Sequence, residues 1–105
     1  MAVKHLKSAD FTAEMEAASV AMVDFWADWC GPCKMLSPAI EELSAQYEGR
    51  ALVAKVNVDE SPDLARRFGV MSIPPVVILK DGAEVERKVG LMPGPVYAAA
   101  LDKHL

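Results

Sequence analysis

The fold of this chain is decided by residues 23–35, whose sequence is VDFWADWCGPCKM. They begin inside residues 20–27, a nearly continuous apolar run that is typical of a central strand buried on both faces. They end inside residues 33–48, where apolar side chains at steps of three and four predict a helix. These side chains are Leu36, Ile40, Leu43 and Tyr47. Cys30 and Cys33 therefore fall where a buried strand gives way to a helix.

Strand and helix patterns alternate along the rest of the chain. The predicted strands are residues 3–6, 20–27, 51–58, 76–79 and 84–89, and the predicted helices are residues 10–18, 33–48, 62–68 and 94–101. Ser8 or Asp10 is expected to cap the first helix. Pro38 should kink the second helix and Gly49 should end it, while Asp81-Gly82 should make a tight hairpin turn. This order predicts an α/β fold, with a central mixed sheet of about five strands flanked by about four helices.

Length and composition restrict the class of protein. The 105 residues are enough for one domain, taken as residues 1–105, and 52 % of them are hydrophobic, so a packed core is expected. The formal net charge is −4, and no run of Lys or Arg is longer than Arg66-Arg67, which argues against nucleic-acid binding. No apolar stretch is long enough to cross a bilayer, and residues 1–7 contain no secretory signal. We therefore expect a cytoplasmic protein that binds neither nucleic acid nor membrane.

The dicysteine Cys30-Gly31-Pro32-Cys33 carries the predicted chemistry. The N-terminus of a helix has unpaired N–H groups and a partial positive charge, and both lower the pKa of a thiol placed there. Cys30 should lie at the exposed end, and Cys33, one turn into the helix, should be more buried. Cys30 is therefore expected to attack a substrate disulfide, and Cys33 to resolve the mixed disulfide.

The cysteine pair has two other interpretations, half of a zinc site and a structural staple. Half of a zinc site would need further ligands, but there is no second cysteine pair, and the histidines, His5 and His104, lie near opposite ends of the chain. A structural staple would close only a very short loop, and the cytosol would reduce it. We expect no metal and no cofactor.

Residues 23–35 resemble the active-site segment of the thioredoxin family. The resemblance extends to residues 55–59 and 61–70 and to the pairs Ile73-Pro74 and Val89-Gly90, which fall in thioredoxin order at thioredoxin spacing. Essentially the whole chain is covered. The resemblance implies the thioredoxin fold and a protein-disulfide reductase. Such a protein acts as an electron carrier that a flavin-dependent, NADPH-using thioredoxin reductase recycles.

Asp24 interrupts the apolar strand, so its carboxyl group is expected to be buried with a raised pKa. A proton carrier is then available near neutral pH, and the resemblance implies that Asp24 moves the proton of Cys33. The alternative is an edge carboxylate that points to solvent. Lys55 is the expected neighbour on the adjacent strand and would limit the rise in the pKa of Asp24; a solvated lysine at the strand end is the other possibility.

The resemblance also implies a flat, mostly apolar substrate-docking surface beside the cysteines. Its members would be Trp29, Gly31, Pro32, Ile73, Pro74 and Gly90. The bond before Pro74 would be cis, and the backbone of Ile73 would help to hold an extended substrate segment. Trp26 is expected to pack beneath the site. Pro75 departs from the family pattern, which has threonine there, and residues 91–95 are richer in proline than usual.

Three functions are compatible with these residues. The first is a general disulfide reductase with disulfide-containing protein substrates and thioredoxin reductase as its reducing partner. The second is a disulfide oxidase or isomerase, although those relatives usually place a histidine between the cysteines. The third is a non-catalytic binding subunit that uses the surface around Trp29. We expect a monomer.

Overall fold

A computed structural model describes residues 3–105 as a five-stranded sheet with four helices around it. The strands are β1 (Lys4–Leu6), β2 (Val20–Trp26), β3 (Leu52–Asn57), β4 (Pro75–Lys80) and β5 (Ala83–Val89). The helices are α1 (Ser8–Ala17), α2 (Gly31–Gln46), α3 (Pro62–Arg67) and α4 (Gly94–Asp102). The predicted element order and α/β class are confirmed. Among the helices of residues 3–105, none is both long and apolar enough to span a bilayer.

The sheet is mixed, and β2 lies at its centre. The strand order is β1-β3-β2-β4-β5, with β1, β3 and β2 parallel and β4 and β5 antiparallel to their neighbours. Because β2 and β3 run in the same direction, their carboxyl ends meet at one edge of the sheet. The chain that leaves β2 at this edge carries the dicysteine.

Alternate residues of β2 enter two separate cores. Val20 and Met22 pack with the apolar faces of α2 and α4, while Ala21, Val23 and Phe25 pack with those of α1 and α3. Both faces of β2 are buried, as the apolar run predicts. The same alternation puts Asp24 on the α2 and α4 face.

The start of α1 differs from the prediction. Lys7 occupies the N-cap position, and neither Ser8 nor Asp10 does. The hydroxyl of Ser8 donates to Asp63, at the start of α3. The carboxylate of Asp10 accepts the N–H of Lys7 at 3.1 Å, so it closes the first turn from inside the helix.

The other local predictions concern turns. Gly49, after α2, has φ +82°, the left-handed conformation expected of it. Asp81 and Gly82 both have positive φ, 52° and 82°, which is the requirement of a tight hairpin turn between β4 and β5. Pro38 lies within α2, which runs on from Gly31 to Gln46.

The packing of α2 on the sheet is open to a direct test. Ile40 is fully buried in the α2 and α4 core, whereas Met35 on the same helix is 70 % exposed. We expect Ile40→Ala to lower the free energy of unfolding by about 2–5 kcal/mol, because it removes buried methyl groups and leaves a cavity. Met35→Ala, the control, should change it by less than about 0.5 kcal/mol. Denaturant unfolding measures both, and equal losses would contradict this assignment of the helix faces.

Candidate active site

Cys30 and Cys33 form a disulfide at the start of α2. Their Cα atoms are 5.3 Å apart, within the range of a disulfide. Cys30 is the N-cap residue, and its Sγ accepts the N–H of Cys33 at 3.2 Å. The helix therefore begins at Gly31, two residues before its predicted start, and its first turn directs an N–H group at the sulfur of Cys30.

Cys33 is the more buried of the two cysteines, as predicted, but Cys30 is not exposed. Cys33 is 1 % exposed and Cys30 only 4 %, so the order is as expected but Cys30 is itself buried. Both residues pack with Ala27 in a small cluster that Trp26 and Ile73 cover in part. This cover accounts for the low exposure of Cys30 in the disulfide form.

Asp24 is buried beneath α2, and the solvent-facing alternative is wrong. Its side chain is 0 % exposed, and neither carboxyl oxygen has a hydrogen-bond partner within residues 3–105. Burial raises the pKa of Asp24 to about 7, and the positive charge of Lys55 opposes part of that rise. The carboxyl group can therefore exchange a proton near neutral pH.

Lys55 lies opposite Asp24 in the parallel pairing of β2 with β3. It is 6 % exposed, so the alternative of a solvated lysine is wrong. Its Nζ donates to the hydroxyl of Ser37 at 2.9 Å and lies 4.7 Å from the ring centre of Trp26. Sequence reasoning missed Ser37, although its position four residues after Cys33 places both on one helix face.

Trp29 stands out from the surface beside the disulfide, with 69 % of its side chain exposed. Its Nε1 donates to Asp59 at 2.9 Å. The side chain of Asn57, at the end of β3, accepts the N–H of Asp59 at 2.9 Å and so holds that loop. The role of Asp59 was not predicted, but the meeting of the β2 and β3 ends at one edge is the signal that could have revealed it.

The segment before β4 also reaches the disulfide. The bond between Ile73 and Pro74 is cis, as the resemblance implies, and Ile73 packs against the cysteine cluster. Gly90, with φ +94°, donates its N–H to the carbonyl of Pro74 at 3.0 Å. The hydroxyl of Tyr97 donates to the carbonyl of Gly90 at 3.0 Å and ties this loop to α4, a contact that sequence reasoning missed.

The remaining predicted site residues lie around the same pair. Gly31 and Pro32 are exposed at the first turn of α2. Trp26 packs against the cysteine cluster from below, as expected, with its Nε1 buried. No group of three or more metal-ligating side chains is found within residues 3–105.

Comparison with known proteins agrees with this geometry. The family model of thioredoxin matches residues 2–103. Thioredoxins of Staphylococcus aureus strains COL and MW2 are each 50 % identical to the chain over 105 residues, which is 100 % of both chains. The chain belongs to the thioredoxin family. A solved mutant thioredoxin of Halobacterium salinarum superimposes with a TM-score of 0.92 at 35 % identity, over 98 % of this chain and 90 % of that one.

Membership of the thioredoxin family identifies the chain as a thiol–disulfide oxidoreductase. The fold is the thioredoxin fold, with the predicted five-stranded mixed sheet and four helices. Its redox-active centre is the Cys30–Cys33 pair, held at disulfide distance.

Pro75, which departs from the thioredoxin pattern, interrupts the hydrogen bonding of β4 with β2 but not with β5. Pro75 pairs with Val89 of β5, and the adjacent bond from Gly90 to the carbonyl of Pro74 is intact, so the β4–β5 pairing reaches the site. The β2–β4 pairing ends at Asp24 and Val76. The next hydrogen bond of this pairing would need a backbone N–H at position 75, and proline has none. The pairing of β2 with β4 therefore stops beside the buried carboxyl group, whereas the pairing of β2 with β3 continues to Trp26.

The burial of Asp24 predicts a characteristic pH dependence of stability. In the unfolded chain this carboxyl titrates near 3.8, and in the folded protein its pKa is about 7. Between these values the folded state holds a proton that the unfolded state has released, so stability falls as pH rises and levels off above the folded pKa. We expect the oxidised wild type to lose on the order of 4 kcal/mol relative to Asp24→Asn between about pH 4 and about pH 8.

Unfolding of both oxidised proteins in denaturant, at a series of pH values, measures this difference. Asn has nearly the same shape and no titration in this range, so it isolates the carboxyl proton from packing. Parallel pH profiles of the two proteins would show that the pKa of Asp24 is not raised by burial.

Proposed function

We propose that this protein is a general protein-disulfide reductase in which Cys30 attacks and Cys33 resolves. The observation that carries the proposal is the N–H of Cys33 donating to Sγ of Cys30 at 3.2 Å, at the first turn of α2. The same N–H and the helix dipole stabilise negative charge on that sulfur when the pair is reduced. Cys30 is therefore the better nucleophile and the better leaving group of the two.

The reaction proceeds in two exchanges. The Cys30 thiolate attacks one sulfur of the substrate disulfide, forms a mixed disulfide and releases the other substrate sulfur as a thiolate, which takes up a proton. The Cys33 thiolate then attacks Sγ of Cys30, forms the Cys30–Cys33 disulfide and releases the second substrate thiolate, which is also protonated. Two electrons pass from the protein to the substrate, and one disulfide replaces another.

Asp24 serves this second exchange as the acceptor of the proton of Cys33. It lies under α2 on the face of β2 that this helix covers, and burial raises its pKa to about 7, close to that needed of a base at neutral pH. Lys55, opposite Asp24, moderates the effect of burial. These two residues tune the chemistry without meeting the substrate.

The substrate lies on the surface formed by Trp29, Gly31, Pro32, Ile73 and Gly90, and Pro74 contributes to it from a buried position. Trp29 is exposed directly before Cys30 and Ile73 packs against the cysteine cluster, and their apolar surface suits an extended segment of a disulfide-containing protein. Exposed apolar side chains next to a reactive centre are typical of a recognition surface. Thioredoxins are typically reduced by thioredoxin reductase, and we assign this chain the same partner, with one domain acting as a monomer in the cytoplasm.

Insulin reduction by the pre-reduced protein tests the proposal. We expect turnover by the wild type, loss of turnover to background in Cys30→Ser, and a trapped covalent complex with the substrate in Cys33→Ser, because the mixed disulfide then has no resolving thiol. Non-reducing electrophoresis and mass spectrometry identify the complex. Trapping on Cys30→Ser in place of Cys33→Ser would reverse the assigned roles.

The redox potential of the pair distinguishes reductase from oxidase. Equilibration with glutathione buffers should leave the Cys30–Cys33 pair largely oxidised where a disulfide-forming relative would already be reduced. A potential in the oxidant range would refute the reductase assignment. If both cysteines are replaced by serine and a partner is still retained, the surface also acts as a binding site, independently of turnover.

The bond between Trp29 and Asp59 generates a separate prediction. Asp59→Ala removes the acceptor of the indole N–H, so Trp29 is no longer held in place before the substrate docks. Because its ordering must then be paid for on binding, the KM for a protein disulfide should rise about 2- to 10-fold with kcat little changed. Asp28→Ala is the matched control, because Asp28 is exposed in the same segment. A fall in kcat, or the same rise in KM in both variants, would contradict a docking role for this bond.

A further inference from the structure

The hydroxyl of Ser37 connects the helix of the thiol pair to the buried charges beneath it. Ser37 follows Cys33 by four residues on α2, so both side chains belong to the helix face that covers the sheet. Its Oγ accepts a hydrogen bond of 2.9 Å from the ammonium group of Lys55. No motif of the sequence requires a hydroxyl at this position.

The Lys55 ammonium has two possible hydrogen-bond acceptors, the carboxyl group of Asp24 and the hydroxyl of Ser37. The strand register places Lys55 opposite Asp24. Neither oxygen of Asp24 has a hydrogen-bond partner among the described residues, however, and no ion pair joins the two side chains there. The ammonium instead bonds to Ser37 and lies 4.7 Å from the ring centre of Trp26. Once Asp24 is ionised, its carboxylate is a stronger acceptor than a hydroxyl, so a restraint is needed to keep Lys55 on Ser37.

We propose that Ser37 is a positioning residue for the thiol chemistry: its hydroxyl holds the Lys55 ammonium against the Trp26 ring and so prevents an ion pair between Lys55 and Asp24. The inference rests on the proposed role of Asp24 as the acceptor of the Cys33 proton. Lys55 then acts on Asp24 through space only. A direct ion pair would stabilise the carboxylate and make it a weaker base toward the thiol.

Few ionisable groups face Asp24, which makes the proposal measurable. Lys55 faces it from β3, Tyr97 faces it from α4, and the cysteine pair lies on α2, while β4 presents the apolar Val76. In the oxidised protein the cysteines do not titrate. The carboxyl of Asp24 then titrates without the coupling to the thiols that complicates the reduced protein.

The experiment is a pH titration of the Asp24 side-chain carboxyl carbon by ¹³C NMR in the oxidised protein. We expect Ser37→Ala to lower the midpoint by about 1 pH unit, because the ammonium turns to Asp24 as its remaining acceptor. Ser37→Thr keeps the hydroxyl and should restore the wild-type midpoint. Ala is a good helix former, so the first variant should fold, and its amide spectrum checks this.

A double-mutant cycle shows whether Ser37 acts through Lys55. In the Lys55→Met background no ammonium is present, so adding Ser37→Ala should leave the midpoint of Asp24 where Lys55→Met alone sets it. An unchanged or raised midpoint in Ser37→Ala, the same fall in Ser37→Thr, or an equal fall in the Lys55→Met background would each overturn the proposal. The titration requires no turnover, so its failure is distinguishable from failure of the insulin assay.

Discussion

The site depends on one unfavourable constraint, the burial of the Asp24 carboxyl group without a hydrogen-bond partner among residues 3–105. Burying an unpaired carboxylate costs free energy. The carboxyl group of Asp24 avoids most of that cost by remaining protonated up to its raised pKa of about 7. The rest of the protein must be stable enough to tolerate this. Two apolar cores, one on each face of β2, provide that stability and hold the residue in place.

The direction of the strands brings the other parts of the site to this carboxyl group. Because β2 and β3 are parallel, Lys55 pairs with Asp24 and the loop after β3 delivers Asp59 to Trp29 at the same sheet edge. Because β4 is antiparallel to β2, it begins at that edge, and the Ile73-Pro74 segment before it reaches the cysteine cluster. One sheet topology therefore assembles residues that are far apart in sequence.

The elements that carry the site could be predicted from local sequence, whereas most of its side-chain contacts could not. The apolar run of β2 and the helical spacing of α2 are local patterns, and they place Cys30 and Cys33 correctly. The burial of Asp24 follows from its position in that run. Hydrogen bonds to Ser37, Asp59 and Gly90 depend on which elements become neighbours, which periodicity does not reveal. The N-cap of α1 was missed for the same reason, since Asp63 on α3 engages Ser8.

Pro75 affects the two neighbours of β4 differently: the pairing with β5 continues past it, and the pairing with β2 ends beside it. On the β5 side, the bond from Gly90 to the carbonyl of Pro74 continues the pairing, so the loop that carries Gly90 stays attached beside the disulfide. On the β2 side, the missing N–H of Pro75 ends the pairing at Asp24 and Val76. Beyond that pair, Phe25 and Trp26 of β2 remain paired with β3. The loop that carries Gly90 is thus fixed to the start of β4, and the end of β2 that leads into the dicysteine is held by β3 and by the packing of α2.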